Sequence, residues 1–355
     1  TTLGARYFHG IIASLTQLGD VPGQTLYEAV LRPRPWLFGF NQDCRIYQNL
    51  SVPEIIETAF HDLGYADYKT EVVGSYAKRE YCVQYNESYL DFILRLMEEE
   101  GIFYFFEQDE SSATMIIADD ASSYRSANLG EGEKTSSVDI RNLENCRYAC
   151  EVTSAKYVTT DYNFEAPSTD LKATNGDSQL TRTVYEYPGR YRQKADGDAR
   201  AAIRLQEILR DKIVFSGSSW YYGFAAGATF KLTDHSRVGA NTDFVLKTVS
   251  HYSSDNTYAN EFQALPAEVV FRPLRTTRRP LIAGVQTATV VGKAGEEIWT
   301  DKYGRVKLSF RWDQSGITDE NASRWVRVAH SWAGKNWGSL RLPRVGQEVV
   351  VVFRE

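Results

Sequence analysis

Asp234, His235 and Ser236 bring together, in three consecutive positions, the residue types of a nucleophilic triad. A triad needs three groups that converge in space from separate positions, and no G-x-S-x-G elbow precedes Ser236. Adjacency is the wrong geometry for that chemistry. The run Glu98, Glu99, Glu100 offers carboxylates, and glycoside hydrolysis requires two of them facing one bond. Neighbouring helical positions point in different directions, and no separate acid stands at a matching site, so a solvated helix end is the expectation. His9, His61, His251 and His330 stand singly, with no H-E-x-x-H or Cys/His spacing, and read as structural imidazoles. Cys146 and Cys150 lack CxxC spacing and a nearby His, which predicts buried free thiols. AAGAT around Gly227 lacks the Lys and Ser/Thr of a phosphate loop. These patterns assign no catalytic, cofactor-binding or metal-binding residue.

The elements that could position such groups are predominantly β. The chain has 355 residues, more than one core usually supports, and its 22 tyrosines favour strands with half-buried faces. Cys44, Cys82, Cys146 and Cys150 are too few and too scattered for a disulfide framework. No run approaches the roughly 18 apolar residues of a membrane span, and TTLGARYFHG lacks the pattern of a secretory signal, so cytosolic synthesis without stable membrane insertion is expected. From Val285 to Glu355 there are 11 Lys and Arg against 8 Asp and Glu, within a chain of net charge −6. That balance has no concentrated cationic stripe of the kind that neutralises nucleic-acid phosphates.

RYFHGIIASLTQLG and TLYEAVLRPRPWLF read as two strands around a turn at Gly19, Asp20, Pro22 and Gly23. Two strands alone do not make a stable sheet, so partners from elsewhere are expected. Ser51 and Glu54 form a capping box ahead of the apolar stripe Ile55, Ile56, Ala59, Phe60 and Leu63, with Gly64 closing the helix. Arg79 to Glu107 predicts strand, helix, strand. Tyr81, Val83 and Tyr85 alternate, Leu90, Ile93, Leu94 and Met97 face a core, and Gly101 stops the helix before Ile102–Phe106. Ser122–Ser137, with Gly130 and Gly132, reads as a loop; Glu151–Val158 as a strand; Ala199–Asp211 as a helix carrying Ala202, Leu205 and Leu209. TFKLTDH, DFVLKTVSHYSS and YANEFQALPAEVVFRP are alternating runs separated by Gly239, Asn241, Asp255 and Asn256, suited to an antiparallel barrel or sandwich. Phe271–Gly284, with Arg272, Arg275, Arg278 and Arg279, reads as an extended linker whose arginines meet acids of the preceding domain.

The last segment carries GEEIWTDKYGRVKLSFRWD, SRWVRVAHSWAGKNWG and SLRLPRVGQEVVVVF, with Trp299, Trp312, Trp325, Trp332 and Trp337 in one short region. Short alternating strands with regular turns predict a five-stranded barrel of the OB type. Trp325 alternates with Val326 and Val328 on the opposite face, so one face is outward or packed against another chain. Exposed aromatics on such a barrel also suit stacking on glycan or single-stranded nucleic acid, a reading that stays open at this stage.

These motifs, together with SVPEII, REYCVQYNESYLDFILRLMEEEGIFYFFE, DYNFEAPS and YEYPGRY in the same order, closely resemble the VgrG spike proteins of bacterial type VI secretion systems. That family is related to the baseplate hub and central spike of contractile phages. HSW at His330–Trp332 departs from a more usual Gln-Pro-Trp. The resemblance implies a mainly β chain with a few helices: phage-hub-like barrels with an α/β insertion, then an OB-fold barrel. Residues 1–40 are then the remainder of a first hub barrel and 41–135 the insertion. Residues 136–270 form the second barrel with its helix, 271–284 the linker and 285–355 the neck.

The resemblance further implies a structural part without enzymatic activity or cofactor. It would be a homotrimer seated on a hexameric Hcp-type tube, with baseplate components as neighbours. A tip protein and effectors would attach through a β-helical needle, which family members carry beyond the point where this sequence stops, as they carry further barrel strands before its start. Assembly would take place in the cytoplasm and export through the type VI apparatus. Trp325, Val326, Val328, Trp332, Val349 and Val351 are the candidates for barrel or trimer packing. A prophage tail hub, a spike with murein-hydrolase activity and an OB-fold binding module for glycan or nucleic acid are the alternatives.

Overall fold

A computed structural model describes residues 6–129, 136–254, 257–334 and 337–353. The chain opens with β1 (Ile11–Val21) and β2 (Gln24–Arg32), followed by β3 (Gln42–Tyr47) and α1 (Val52–Asp62). Next come β4 (Tyr68–Glu71), β5 (Cys82–Ser88), α2 (Tyr89–Glu100), β6 (Phe103–Gln108) and β7 (Ala113–Ala118). The middle holds β8 (Arg125–Ser126), β9 (Ser137–Asp139), β10 (Glu144–Cys150), β11 (Lys156–Thr159), β12 (Ala173–Gly176), β13 (Thr183–Glu186) and α3 (Lys194–Leu209). It continues with β14 (Ile213–Ser219), β15 (Ala228–Thr233), β16 (Asp243–Ser254) and β17 (Thr257–Pro266). The last segment contains β18 (Val285–Val291), β19 (Lys307–Phe310), β20 (Ala333–Gly334), β21 (Trp337–Gly338) and β22 (Glu348–Val352).

The chain divides into two compact units. The first comprises Thr1–Arg34, Ala66–Gly74 and Met97–Thr276. Its centre is a seven-stranded sheet in the order β10-β14-β17-β16-β15-β8, with β9 also on β15. Inward residues of alternate positions, among them Phe215, Phe230, Phe244 and Phe262, fill its core. Beside it, α3 packs Ala201 and Leu205 against Tyr157, Leu171 and Ala173 of the small sheet β12-β11-β13. The hairpin β1–β2 is a separate two-stranded sheet. The second unit comprises Pro35–Tyr65, Ser75–Leu96 and Thr277–Glu355. There β3 pairs with β5, and Ile46 packs against the core of β18, β19 and β22, made by Ala288, Val290, Leu308, Phe310 and Val351.

Local rules account for much of this. Glu54 accepts from the Ser51 amide at 2.7 Å and from its hydroxyl at 2.9 Å, and Gly64 follows α1 at φ +63°. The hairpin turns at Pro22 and Gly23, with Gly23 at φ +83°; Gly19 and Asp20, expected in the turn, are instead paired in β1 with Leu26 and Thr25, and Gly19 at φ +147° sits at a register shift.

Several expectations are corrected. The fully buried face of α2 is Phe92, Ile93, Leu96 and Met97, with Leu90 and Leu94 only half-buried. Both sets satisfy helical spacing, and packing selects between them. Glu98 is buried and is not part of a solvated end, because Arg204 reaches the carbonyls there. The predicted loop Ser122–Ser137 contains β8 and the start of β9, both paired with β15; its Gly130 and Gly132 lie outside the described residues. The strand predicted at Glu151–Val158 is Lys156–Thr159, and it is preceded by β10, which the sequence reading did not identify. The helix predicted from Ala199 starts at Lys194. The turn residues Asp255 and Asn256 lie outside the described residues, as does the terminal Arg354–Glu355. Cys146 is half-buried and Cys150 exposed; all four cysteines are free.

Candidate functional site

None of the chemistry-bearing patterns assembles. Asp234 takes φ +59° at the end of β15, and the following turn uses its polar groups internally. The His235 amide donates to Asn241 Oδ1 at 2.8 Å, and its Nδ1 accepts from the Arg237 amide at 2.9 Å. A ring nitrogen committed to that turn is not a base for Ser236. His251 Nδ1 lies 2.7 Å from the Tyr258 hydroxyl, and burial, assisted by the positive charge of Arg6, pushes the imidazole down to about 4. His9 Nε2 lies 2.7 Å from the Asp109 carbonyl. Among the described residues no group of three His, Cys, Asp or Glu could hold a metal ion. Gly227, at φ +83°, backs onto the ring of Phe105, where a Cβ would come within 2.7 Å. Its role is close packing.

The sites that remain are surfaces, and the last segment sets them out by strand alternation. Along β22, Val351 points into the barrel core at 7 % exposure and Val349 packs against that core. Val350 and Val352, one position off, are 65 % and 70 % exposed. Val352 pairs with Val285 and Val350 with Thr287, so the outer face of this sheet carries an apolar stripe. β22 is also the edge of the sheet order β19-β18-β22. Val326 and Val328 pack on the core side, and the run Trp325–Val328 joins the sheet only through the bridge Val306–Val326. The alternating run read at Trp325–Val328 is therefore held by an isolated bridge and not by a full strand. Trp325 faces away from that core and packs on Trp299 at 4.6 Å, with the Lys307 ammonium 5.4 Å from its ring. That geometry is a cation–π contact.

Trp332 immediately precedes β20, which pairs antiparallel with β21, and lies 5.9 Å from Trp337 and edge-on to it; the two rings are 67 % and 57 % exposed. Sequence reasoning noted Trp337 among the clustered tryptophans but did not place Val350, Val352, Val285 or Trp337 among the packing candidates. The period of two in EVVVV was the available signal, but it does not say which phase faces the core.

A second apolar surface lies on the β1–β2 hairpin. Ile12 opposite Leu31, Leu15 opposite Ala29 and Tyr27 opposite Gln17 share one face, and all are exposed. The other face is mixed, with Ser14, Thr16, Glu28 and Arg32 beside Ile11, Val30 and Leu26.

Comparison with known proteins matches this order of parts. Residues 2–257 match the family described as phage tail baseplate hub (GPD). The chain belongs to the baseplate hub family. Residues 287–355 match the type VI secretion system/phage-baseplate injector OB domain. This hub chain is 36% identical over 378 residues to the type VI secretion system spike protein VgrG1c of Pseudomonas aeruginosa, covering 99% of this chain and 51% of that protein. It is 33% identical over 371 residues to VgrG3 of Vibrio cholerae, covering 97% and 36% respectively. The hub chain thus spans about half the length, or less, of these curated relatives. Among solved structures it is similar to the E. coli c3393 protein, a type VI secretion component with structural similarity to the T4 tail proteins gp27 and gp5. The TM-score is 0.68 at 22% identity, over 99% of this chain and 81% of that one. A tail protein from Neisseria meningitidis shares the fold at TM-score 0.55 and 14% identity, over 74% and 81%.

Proposed function

We propose that this chain is the hub and neck of a type VI puncturing spike: a structural homotrimer that seats on a hexameric Hcp-type tube and helps carry effectors into a target envelope. The observation that carries the reading is the succession, on one chain, of a baseplate hub region and an injector OB domain, at 36% identity to spike proteins. In this assignment residues 1–40 and 136–270 supply hub barrels, 41–135 the insertion, 271–284 the connection and 285–355 the neck. Baseplate components are its neighbours, and a tip protein and effectors are carried by parts beyond this segment. It is built in the cytoplasm and leaves through the apparatus.

The exposed valine stripe of β22 and the exposed face of β1–β2 support self-assembly, because unpaired edges and apolar faces of this kind are normally covered. The candidates Trp325, Val326, Val328, Trp332, Val349 and Val351 are assigned to holding the barrel and trimer together, Trp332 being the most exposed of the six tryptophan and valine side chains after assembly-free folding. No enzymatic activity is assigned to this segment. Light scattering across a dilution series tests the assembly: a constant mass of three chains is expected, and one chain at every concentration overturns it. A prophage tail hub is the second reading, favoured by the fold shared with the Neisseria tail protein; the higher identity to spike proteins ranks it second.

A further inference from the structure

The segment after β17 was expected to be an extended linker, but its first residues are fastened to the first unit at several points. Phe271 donates its amide to the Tyr124 hydroxyl at 2.9 Å and packs edge-on against Phe103 at 5.8 Å. Arg272 Nη1 donates to the carbonyls of Gly101 at 2.8 Å and Asp119 at 2.7 Å, and its Nε donates to Gln206 Oε1 at 2.8 Å. The Arg272 carbonyl in turn accepts from Arg210 at 3.1 Å. Gly101 makes room for this: a Cβ there would come within 2.9 Å of Arg272 Cδ and 2.6 Å of Ile203. Three residues on, Arg275 Nη1 donates to Glu186 Oε1 at 2.8 Å, its Nε lies 3.5 Å from Glu207, and its amide donates to Glu207 at 3.2 Å.

The two fastenings differ in kind. Arg272 donates to two carbonyls and an amide, with Asp120 as a charged neighbour, and is only partly exposed, whereas Arg275 is gripped directly by two carboxylates with about a third of its side chain open to solvent. Screening and competition from water weaken the second far more than the first. The compact unit ends at Thr276, directly after Arg275.

We propose that residues 270–276 are a strap closed by a releasable catch, with Arg275 between Glu186 and Glu207 opening first and Arg272 remaining as the anchor. Full release of residues 271–276 would add up to about 20 Å of extended chain. The strap rests on the hub-and-neck reading only for its use, as a reserve of length in the connection. Its existence is tested separately.

The test is limited trypsin digestion of the chain as it stands, with the first cuts read by mass spectrometry. Arg278 is exposed and lies just beyond the strap, so it serves as the internal reference; Arg279 is followed by Pro280. In the parent, cutting after Arg278 should precede cutting after Arg275 by about tenfold; Arg272 is followed by Pro273 and resists trypsin, so a parallel chymotrypsin digest reads the anchor at Phe271, slower still. Glu186→Gln removes one charge of the catch and Arg275→Lys removes its two-point fork while keeping a trypsin site. Each should speed cutting at position 275 by about threefold to tenfold, with no change in the tryptic cut after Arg278 or the chymotryptic cut after Phe271, and 1 M salt should do the same. Equal cutting after Arg275 and Arg278 in the parent overturns the proposal. So does an unchanged ratio in both variants, or a rise in the chymotryptic cut after Phe271 as large as the rise at position 275. The trimer can fail its own test without altering any of these outcomes.

Discussion

The Tyr85 ring meets Trp312 edge-on at 5.5 Å, and Gln286 joins their polar ends: it donates to the Tyr85 hydroxyl at 2.6 Å and accepts from the Trp312 indole at 2.8 Å. Tyr85 belongs to β5 and Trp312 follows β19, so two segments more than 200 residues apart share one aromatic contact and one amide. Arg324 over the Tyr81 ring at 5.6 Å and Gln48 donating to the Asn321 carbonyl at 2.6 Å lie along the same junction. The OB segment is thus docked on the β3–β5 sheet within the second unit.

Trp312→Ala should destabilise that unit by about 3 kcal/mol, the loss of a half-buried aromatic and its cavity. Tyr85→Phe, which removes only the hydroxyl, should cost about 1 kcal/mol. Six of the seven tryptophans lie in the second unit, leaving Trp220 in the first. Urea unfolding followed by tryptophan fluorescence therefore reads this unit, and equal effects of the two changes would contradict the shared-amide geometry.

What was legible in the sequence was local. Ser51 with Glu54, Gly23 of the first turn and the alternation of β16 and β17 each act within a few residues, and their pattern carries over into structure. The phase of α2 was not legible, because its apolar residues satisfy two helical faces. Nor was the fate of Glu98–Glu100, since Arg204, which encloses them, lies about a hundred residues away. At the candidate surfaces the valines were visible but their phase was not: one residue of register separates the core residue Val351 from the exposed Val350.

That register gives a paired prediction. If the proposed trimer uses this stripe, Val350→Lys together with Val352→Lys should leave the fold intact and shift the solution mass from three chains toward one, since a charged edge opposes strand pairing. Val351→Lys buries an unpaired ammonium in the barrel and should unfold it at any concentration. Circular dichroism alongside light scattering separates the two; an unaltered mass in the folded double variant would remove β22 from the assembly surface.

Arg204 is fully buried on α3 and donates to the carbonyls of Glu98, at 2.7 Å, and Glu99, which are among the last of α2, while pairing with Glu207. Terminal helix carbonyls have no partner inside their own helix. Arg204→Ala leaves those carbonyls unpaired in a dry interior and Glu207 with Arg275 alone, for an expected loss of about 3–5 kcal/mol. Arg204→Lys, a point charge in place of a planar fork, should recover only part. Thermal melts followed by far-ultraviolet circular dichroism check the order of parent, Lys and Ala.

His251 sets a pH dependence with a defined sign. Burial and the neighbouring Arg6 hold its imidazole at about 4 in the folded chain, against about 6.5 in an unfolded one. Between those values the unfolded state binds the extra proton, so stability from this site is complete above pH 6.5 and is lost as pH falls toward 4. The full difference is tempered because the ring is partly solvated, leaving about 2 kcal/mol. His251→Gln cannot take up that proton. Its stability should fall less steeply than the parent's between pH 6.5 and pH 4, with the two curves parallel above pH 7. Equal slopes in denaturant titrations across that window would show that His251 is protonated alike in both states.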